Sequence, residues 1–162
     1  MIFAAITLTV DTREPWPHPW RRWLPSHVQL ERATLDTGDF ALAGLPDGAI
    51  VERKTVNDFL ACMTSGRERF ERELSRSRHV GRFVVVVEGT LGNVLAARGD
   101  MSEASLIGTV AAWTRRYCPI LFAGSERLAA ELAWRYLAGQ IHESHKIVKA
   151  TSVNVEPSEA RP

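Results

Sequence analysis

Asp39, Glu52 and Lys54 are the residues of this chain whose types and spacing could do chemistry, with Asp58 following closely. Bare carboxylates at short range repel, and an oxygen-liganded Mg²⁺ or Mn²⁺ is the usual way such a cluster is satisfied. A lysine beside the ion can hold or help deprotonate a water and can stabilise charge on a phosphate. Hydrolysis of a phosphodiester needs those parts together.

The elements around them give the spacing its meaning. Phe40-Ala41-Leu42 and Ala49-Ile50-Val51 are apolar runs separated by Leu45-Pro46-Asp47-Gly48, a turn signal. The expected hairpin folds Asp39 back toward Glu52. Alternate side chains of a strand share a face, so Glu52 and Lys54 point one way and Arg53 the other. Plainer readings exist for each part: Asp39 as a turn residue after Gly38, Glu52 and Lys54 as a solvated strand edge, and Asp58 as a cap with Thr55 for the following helix. An acid across a turn from Glu-Arg-Lys directly after an apolar run is much rarer than any of these parts.

Asp11-Thr12-Arg13-Glu14, Gly38-Asp39-Phe40 and Val51-Glu52-Arg53-Lys54-Thr55-Val56-Asn57-Asp58 together resemble the signature of the XPF/ERCC4 family of structure-specific endonucleases, GDx(n)ERKxxxD. Ser65-Gly66-Arg67 with the arginine-rich stretch after it, and Phe83 to Glu88, resemble the family's next helix and central strand. The resemblance implies a three-layer, restriction-endonuclease-like α/β fold and a metal-dependent cut in DNA near a junction of duplex and single strand. It implies that Asp11, Asp39 and Glu52 surround Mg²⁺ or Mn²⁺ and that Lys54 serves the attacking water. Arg13, Glu14, Arg53 and Asp58 then support the site. Similar nucleases usually carry a helix-hairpin-helix module for gripping duplex, for which 162 residues leave no room, so grip is expected from a homodimer or a separate DNA-binding protein.

Asp11 ends an alternating run, Ile6 to Val10, that reads as the first strand, and sites in open α/β sheets gather at such strand ends. A turn or cap acid is the alternative for Asp11. Residues 15–25 hold Trp16, Trp20 and Trp23 with Arg21 and Arg22 among four prolines. Aromatic rings interleaved with arginine suit stacking on unpaired bases and clamping of phosphate, with packing of the tryptophans in the core as the alternative. Val28 to Leu35 reads as a strand, and Asn57 to Thr64 as a helix with Phe59, Leu60 and Met63 inward. Ser65 to Glu68 reads as a capping box opening a helix on which Phe70 and Leu74 face the core. Arg69, Arg72 and Arg76 form a row along that helix. They are either phosphate contacts or partners of Glu68 and Glu73 in solvated ion pairs, and Arg67 is the better phosphate candidate.

The unbroken run Phe83 to Val87 reads as the central strand, covered on both faces. Ser102 to Tyr117 shows two apolar stripes, through Leu106, Val110, Trp113 and Tyr117 and through Ile107, so it is either deeply buried or meets a second subunit. Pro119 to Phe122 reads as a short strand. Ser125 opens a last helix with Leu128, Leu132, Tyr136 and Leu137 inward, and from 143 onward a polar tail is expected after a domain spanning 1–142.

The whole is an α/β domain with a mixed central sheet flanked by helices and a site at one sheet edge. A chain of this length with 45% apolar residues supports one core. The formal net charge of +1 offers no global field for nucleic acid. Cys62 and Cys118 lack zinc or disulfide spacing, and no leader or membrane span is evident, so a cytoplasmic protein is expected. Three functions remain open: a structure-specific endonuclease of DNA repair or recombination, a non-catalytic DNA-binding or partner subunit keeping the fold, and a hydrolase of another phosphodiester.

Overall fold

A computed structural model describes residues 5–45 and 48–153. The chain runs β1 (Ile6–Asp11), a 3-10 turn (Pro19–Arg22), β2 (Val28–Ala33), β3 (Phe40–Leu42), β4 (Ala49–Lys54), α1 (Val56–Met63), α2 (Arg67–Ser77), β5 (Arg82–Val87), α3 (Leu91–Ala96), α4 (Glu103–Arg116), β6 (Ile120–Phe122) and α5 (Glu126–Val153). One six-stranded sheet has the order β2-β1-β3-β4-β5-β6. β1 and β2 are parallel, β3 is antiparallel to both β1 and β4, and β4, β5 and β6 are parallel to one another.

Period-2 alternation divides the sheet residues between two cores. Leu8, Val10, Phe40, Val51, Val84 and Val86 pack with α5 and Trp20 on one face. Ala41, Ile50, Val85 and Val87 pack with residues of α1 to α4 on the other. Strand β5 is buried from Phe83 to Val87 because helices cover both its sides. It lies fifth of six in the order rather than at the centre.

Other local expectations change. Gly66 caps α2 without a side-chain hydrogen bond, so Ser65 forms no capping box; the Gly66 N–H instead donates to Ala61 O and turns the chain out of α1. On α5, Leu128 and Leu132 are exposed, and the inward stripe is Ala129, Ala130, Ala133, Trp134, Leu137 and Ala138. Small residues let this helix approach a sheet face already filled with valine and phenylalanine. α5 also continues past position 143, where a polar tail was expected. On α4, Leu106 and Trp113 belong to the chain's own core, and only Ile107 is a large exposed apolar side chain. Pro46 and Asp47 of the β3–β4 connection lie outside the described residues, while Gly48 N–H donates to Leu45 O across it.

The tryptophan-rich loop sends one of its three tryptophans into the core. Trp20 is 1% exposed and stacks on Phe40 at 4.5 Å between ring centroids, with His18 edge-on to both rings. Trp16 and Trp23 stay exposed, and Trp23 lies under the Arg22 guanidinium. Trp20→Ala should therefore cost about 3–5 kcal/mol, the range for removing a buried aromatic, whereas Trp23→Ala should cost well under that. Urea denaturation of both variants checks this; equal small losses would mean that Trp20 is not part of the core.

Candidate active site

Strand register builds the site. Phe40 pairs with Val51 and Val10 with Phe40, so the next position along β1, β3 and β4 aligns Asp11, Asp39 and Glu52. Backbone bonds continue that row: Asp11 N–H donates to Asp39 O at 2.8 Å and Asp39 N–H to Val51 O at 2.9 Å. These strands are interior to the sheet, so the acids sit across its middle and not at one edge as expected. Gly38 permits the arrangement. Its φ is +73°, and a Cβ there would lie 2.1 Å from Ile50 Cγ2.

The acids of the row are unequal. Asp11 is fully buried, and both its oxygens are used: Oδ1 accepts from Arg13 N–H and from Arg13 Nε, and Oδ2 from Leu35 N–H at 2.7 Å. Burial opposes its charge, but the bonds from Arg13 and the backbone outweigh it and hold its pKa low. In this geometry Asp11 braces the chain after β1 and β2, and Arg13, also reaching Leu35 O and Gly38 O, completes the brace. Asp39 Oδ2 accepts from Arg53 N–H at 2.7 Å. Glu52 Oε1 accepts from Lys54 Nζ, while Glu52 Oε2 is buried with no hydrogen-bond partner. Burial, and then the charge of Asp39, push Glu52 up to about 8 against the pull of Lys54. Burial likewise raises Asp39 to about 6. Lys54 lies over the Phe70 ring, and the neighbouring Glu52 carboxylate keeps its ammonium charged although burial opposes it.

A groove of about 200 Å³ opens over these groups, lined by Glu14, Asp39, Arg53, Lys54, Asp58, Ala61, Cys62 and Arg69. Asp58 takes the capping position: its N–H donates to Thr55 Oγ1 at 3.1 Å and its carboxylate accepts from the Thr55 hydroxyl at 2.7 Å. It also lines the groove wall. Arg69 also lines the wall, whereas Arg67 bonds Glu71 and Thr109, and Arg72 lies 3.8 Å from Glu68. Arg76 is exposed further along α2. Trp20 is buried and unavailable to stack a base; Arg21 bonds Val28 O and Arg22 pairs with Glu126 at 2.7 Å.

Arg53 points to the opposite face, as strand alternation requires, and enters a network that sequence reasoning missed. Its Nε donates to Glu88 Oε1 at 2.7 Å, its Nη2 to Glu88 Oε2 at 3.1 Å, and its Nη1 to Glu14 Oε2 at 3.2 Å. Trp20 Nε1 donates to Glu88 at 2.6 Å, and His18 bonds Glu14 at 2.9 Å while its Nδ1 accepts from Trp20 N–H. The signal was present: Glu88 directly follows β5 on the face of Val84 and Val86, two residues beyond Val86, the register partner of Arg53. Glu73 on α2 was also missed, and its charge acts on Asp39, Glu52 and Arg13.

Among the described residues no three His, Cys, Asp or Glu side chains form a ready metal cage. Asp39 and Glu52 still fit a hard divalent cation, because a buried carboxylate oxygen without a partner is the group such an ion would satisfy. Mg²⁺ characteristically uses one or two carboxylates, completing its shell with water and substrate phosphate.

Raised carboxylates set the sign of a pH effect. The folded state holds protons on Asp39 and Glu52 that the unfolded chain releases near its ordinary values of 3.8 and 4.5. Their contribution to stability is thus present below those values and lost as pH rises toward about 8. In chelator, Glu52→Gln should lessen the fall in melting temperature between pH 5 and pH 8 relative to the parent. Parallel melting curves for the two proteins across that range would show that Glu52 carries no such strain.

The ERCC4 domain profile matches residues 10–133. Among solved structures, XPF from Aeropyrum pernix is similar, at 25% identity and a TM-score of 0.69 over 88% of this chain and 69% of that one. The same archaeal protein in its complex with DNA is similar at 26% identity and a TM-score of 0.62, over 86% of this chain and 66% of that one. This chain thus spans about two thirds of the archaeal chains it matches. No curated protein matches it in sequence. The mixed sheet with helices on both faces is the restriction-endonuclease-like arrangement of XPF nuclease domains, and with the profile covering most of its length the chain belongs to the ERCC4 domain family.

Proposed function

We propose that this chain is a divalent-metal-dependent DNA endonuclease that cuts near junctions of duplex and single strand, in DNA repair or recombination. The observation that carries the reading is the unpartnered Glu52 Oε2, buried beside Asp39 and Lys54 under an open groove. A bound Mg²⁺ or Mn²⁺ would polarise the scissile phosphate and make water a nucleophile near neutral pH. Asp39 and Glu52 would hold it, with Asp11 fixing the backbone between them and the neighbouring strands. Lys54, fixed by Glu52 and the Phe70 ring, would orient the attacking water and stabilise phosphate charge. Arg69 on the groove wall can meet a non-bridging oxygen, and Arg53 acts indirectly by holding Glu14 and Glu88. Exposed Trp16 and Trp23 are the aromatic side chains of the loop left to meet unpaired bases. A cytoplasmic site of action accords with two buried free thiols, and no helix among the described residues is long and apolar enough to cross a membrane.

Asp39→Asn or Glu52→Gln should abolish cleavage of labelled flap and fork DNA while leaving the fold intact, since each removes a metal-facing charge and little volume. Lys54→Ala should lower turnover by two or more orders of magnitude, roughly the scale of a lost acid–base or charge-stabilising group, with a smaller effect on binding. Cutting that persists in chelator or in either carboxylate variant would defeat the assignment. A loss of binding without a loss of turnover in Lys54→Ala would make it only a phosphate contact.

A homodimer is the arrangement we propose for grip, since bivalent contact raises affinity without new contact residues. With Leu106 and Trp113 committed to the core, the large exposed apolar side chains on the helices among the described residues are Ile107, Leu128 and Leu132. Light scattering should give twice the chain mass at micromolar concentration, and Leu128→Glu with Leu132→Glu should return it to one. A monomeric parent would instead point to a separate DNA-binding protein.

A further inference from the structure

A large groove outside the site lies at the other end of the sheet. It spans about 550 Å³ and is lined by Arg78, Arg82 and Arg116 together with Tyr117 and Tyr136, and no carboxylate lines it among the described residues. Arg82 is tied to Glu143 beside the groove. Arg78 and Arg116 are exposed and have no ion pair among the described residues. Elsewhere some surface arginines are paired, as in Arg22–Glu126, Arg67–Glu71, Arg72–Glu68 and Arg135–Glu131, and others such as Arg69 and Arg76 have no ion pair among the described residues; here two arginines without ion pairs share one groove with a third. In a chain of net charge +1, this groove is a local excess of positive charge.

Its position relative to the site follows from the topology. β4 ends in the site, and α1 and α2 carry the chain back to the start of β5, where Arg82 pairs in register with Ala49 at the opposite end of β4. Six paired positions at about 3.3 Å per residue put roughly 17 Å between the two ends. That is about five steps of a duplex at roughly 3.4 Å each. α2 bridges the interval, with Arg69 on the wall of the site groove, Arg72 and Arg76 exposed along it, and Arg78 in the distal groove.

We infer that this groove is a second phosphate-binding cleft, which holds the sugar-phosphate backbone of a duplex arm about five base pairs from the scissile bond. The inference rests on the nuclease reading for its ligand. Guanidinium forks match phosphate geometry, and tyrosine hydroxyls can donate to the same oxygens. The cleft therefore measures the length of duplex beside the junction without reading its sequence.

The test is fluorescence anisotropy in chelator, with junction DNAs carrying duplex arms of 4, 8 and 12 base pairs, comparing the parent with the double variant Arg78→Ala, Arg116→Ala. The parent should bind the longer arms more tightly than the shortest, and the variant should lose that gain while binding the shortest arm as the parent does. Removing two phosphate contacts should also make the loss of affinity on long arms between 50 and 200 mM salt about tenfold smaller, since each contact contributes about 0.9 to the logarithmic slope. Equal arm-length dependence and equal salt slopes would overturn the cleft. So would a variant that changes only its mass by light scattering, which would make the groove a contact between copies. The catalytic reading fails separately: a parent that binds these DNAs but never cuts them with Mg²⁺ sinks the nuclease while leaving the cleft intact.

Discussion

Everything at the site depends on the register of three short strand pairings. Because β3 meets β4 with Phe40 opposite Val51, and β1 meets β3 with Val10 opposite Phe40, the acids one step further along are carried into one row. A slip of one residue would put Phe40 in the polar row and Asp39 in the apolar core. Gly38, with its positive φ and its close approach to Ile50, lets β3 begin where that register demands. The polar row is thus held by the same ladder that aligns the core residues Val10, Phe40 and Val51.

The two faces of β4 divide the work. On the face covered by α1 and α2, Glu52 and Lys54 meet Asp39 under the groove. On the face covered by α5, Arg53 joins Glu88 and Glu14, and through them Trp20 and His18. Arg53 is mostly buried, and a lone charge there would be costly, but it has carboxylates on two sides and every link is a charge-assisted hydrogen bond. The network ties the loop after β1 to the ends of β4 and β5, so Glu14 at the groove wall is fixed from behind.

Much of this was legible in the chain. Asp39, Glu52 and Lys54 could be brought together on paper because a hairpin with a turn signal has few registers, and alternation sends Arg53 away without further information. The aromatic loop could not be read so directly: Trp16, Trp20 and Trp23 have the same composition around them, yet a 3-10 turn buries only Trp20 against Phe40. α5 misled for a different reason. Its leucines have the larger transfer free energy, but the closeness of helix and sheet is set by what fits, and alanines occupy the contact. The bonds that Asp11 accepts from Arg13 and Leu35 could not be read from its residue type, which shows an acid in the row with Asp39 and Glu52 but not what its oxygens meet.

Asp11 and Glu52 stand on interior strands, and Asp39 directly precedes β3 with its N–H bonded to Val51 O, with strands on both sides and helices above and below. Such backbone is the part of a domain whose amides exchange most slowly, opening only when most of the molecule opens. Whatever adaptation a bent or branched DNA requires must therefore come from the groove walls and from the DNA itself. On the nuclease reading proposed above, the centre would act as a fixed anvil: a phosphate would be brought to it by distortion of the nucleic acid, and DNA that bends easily at a junction would reach it at the least cost.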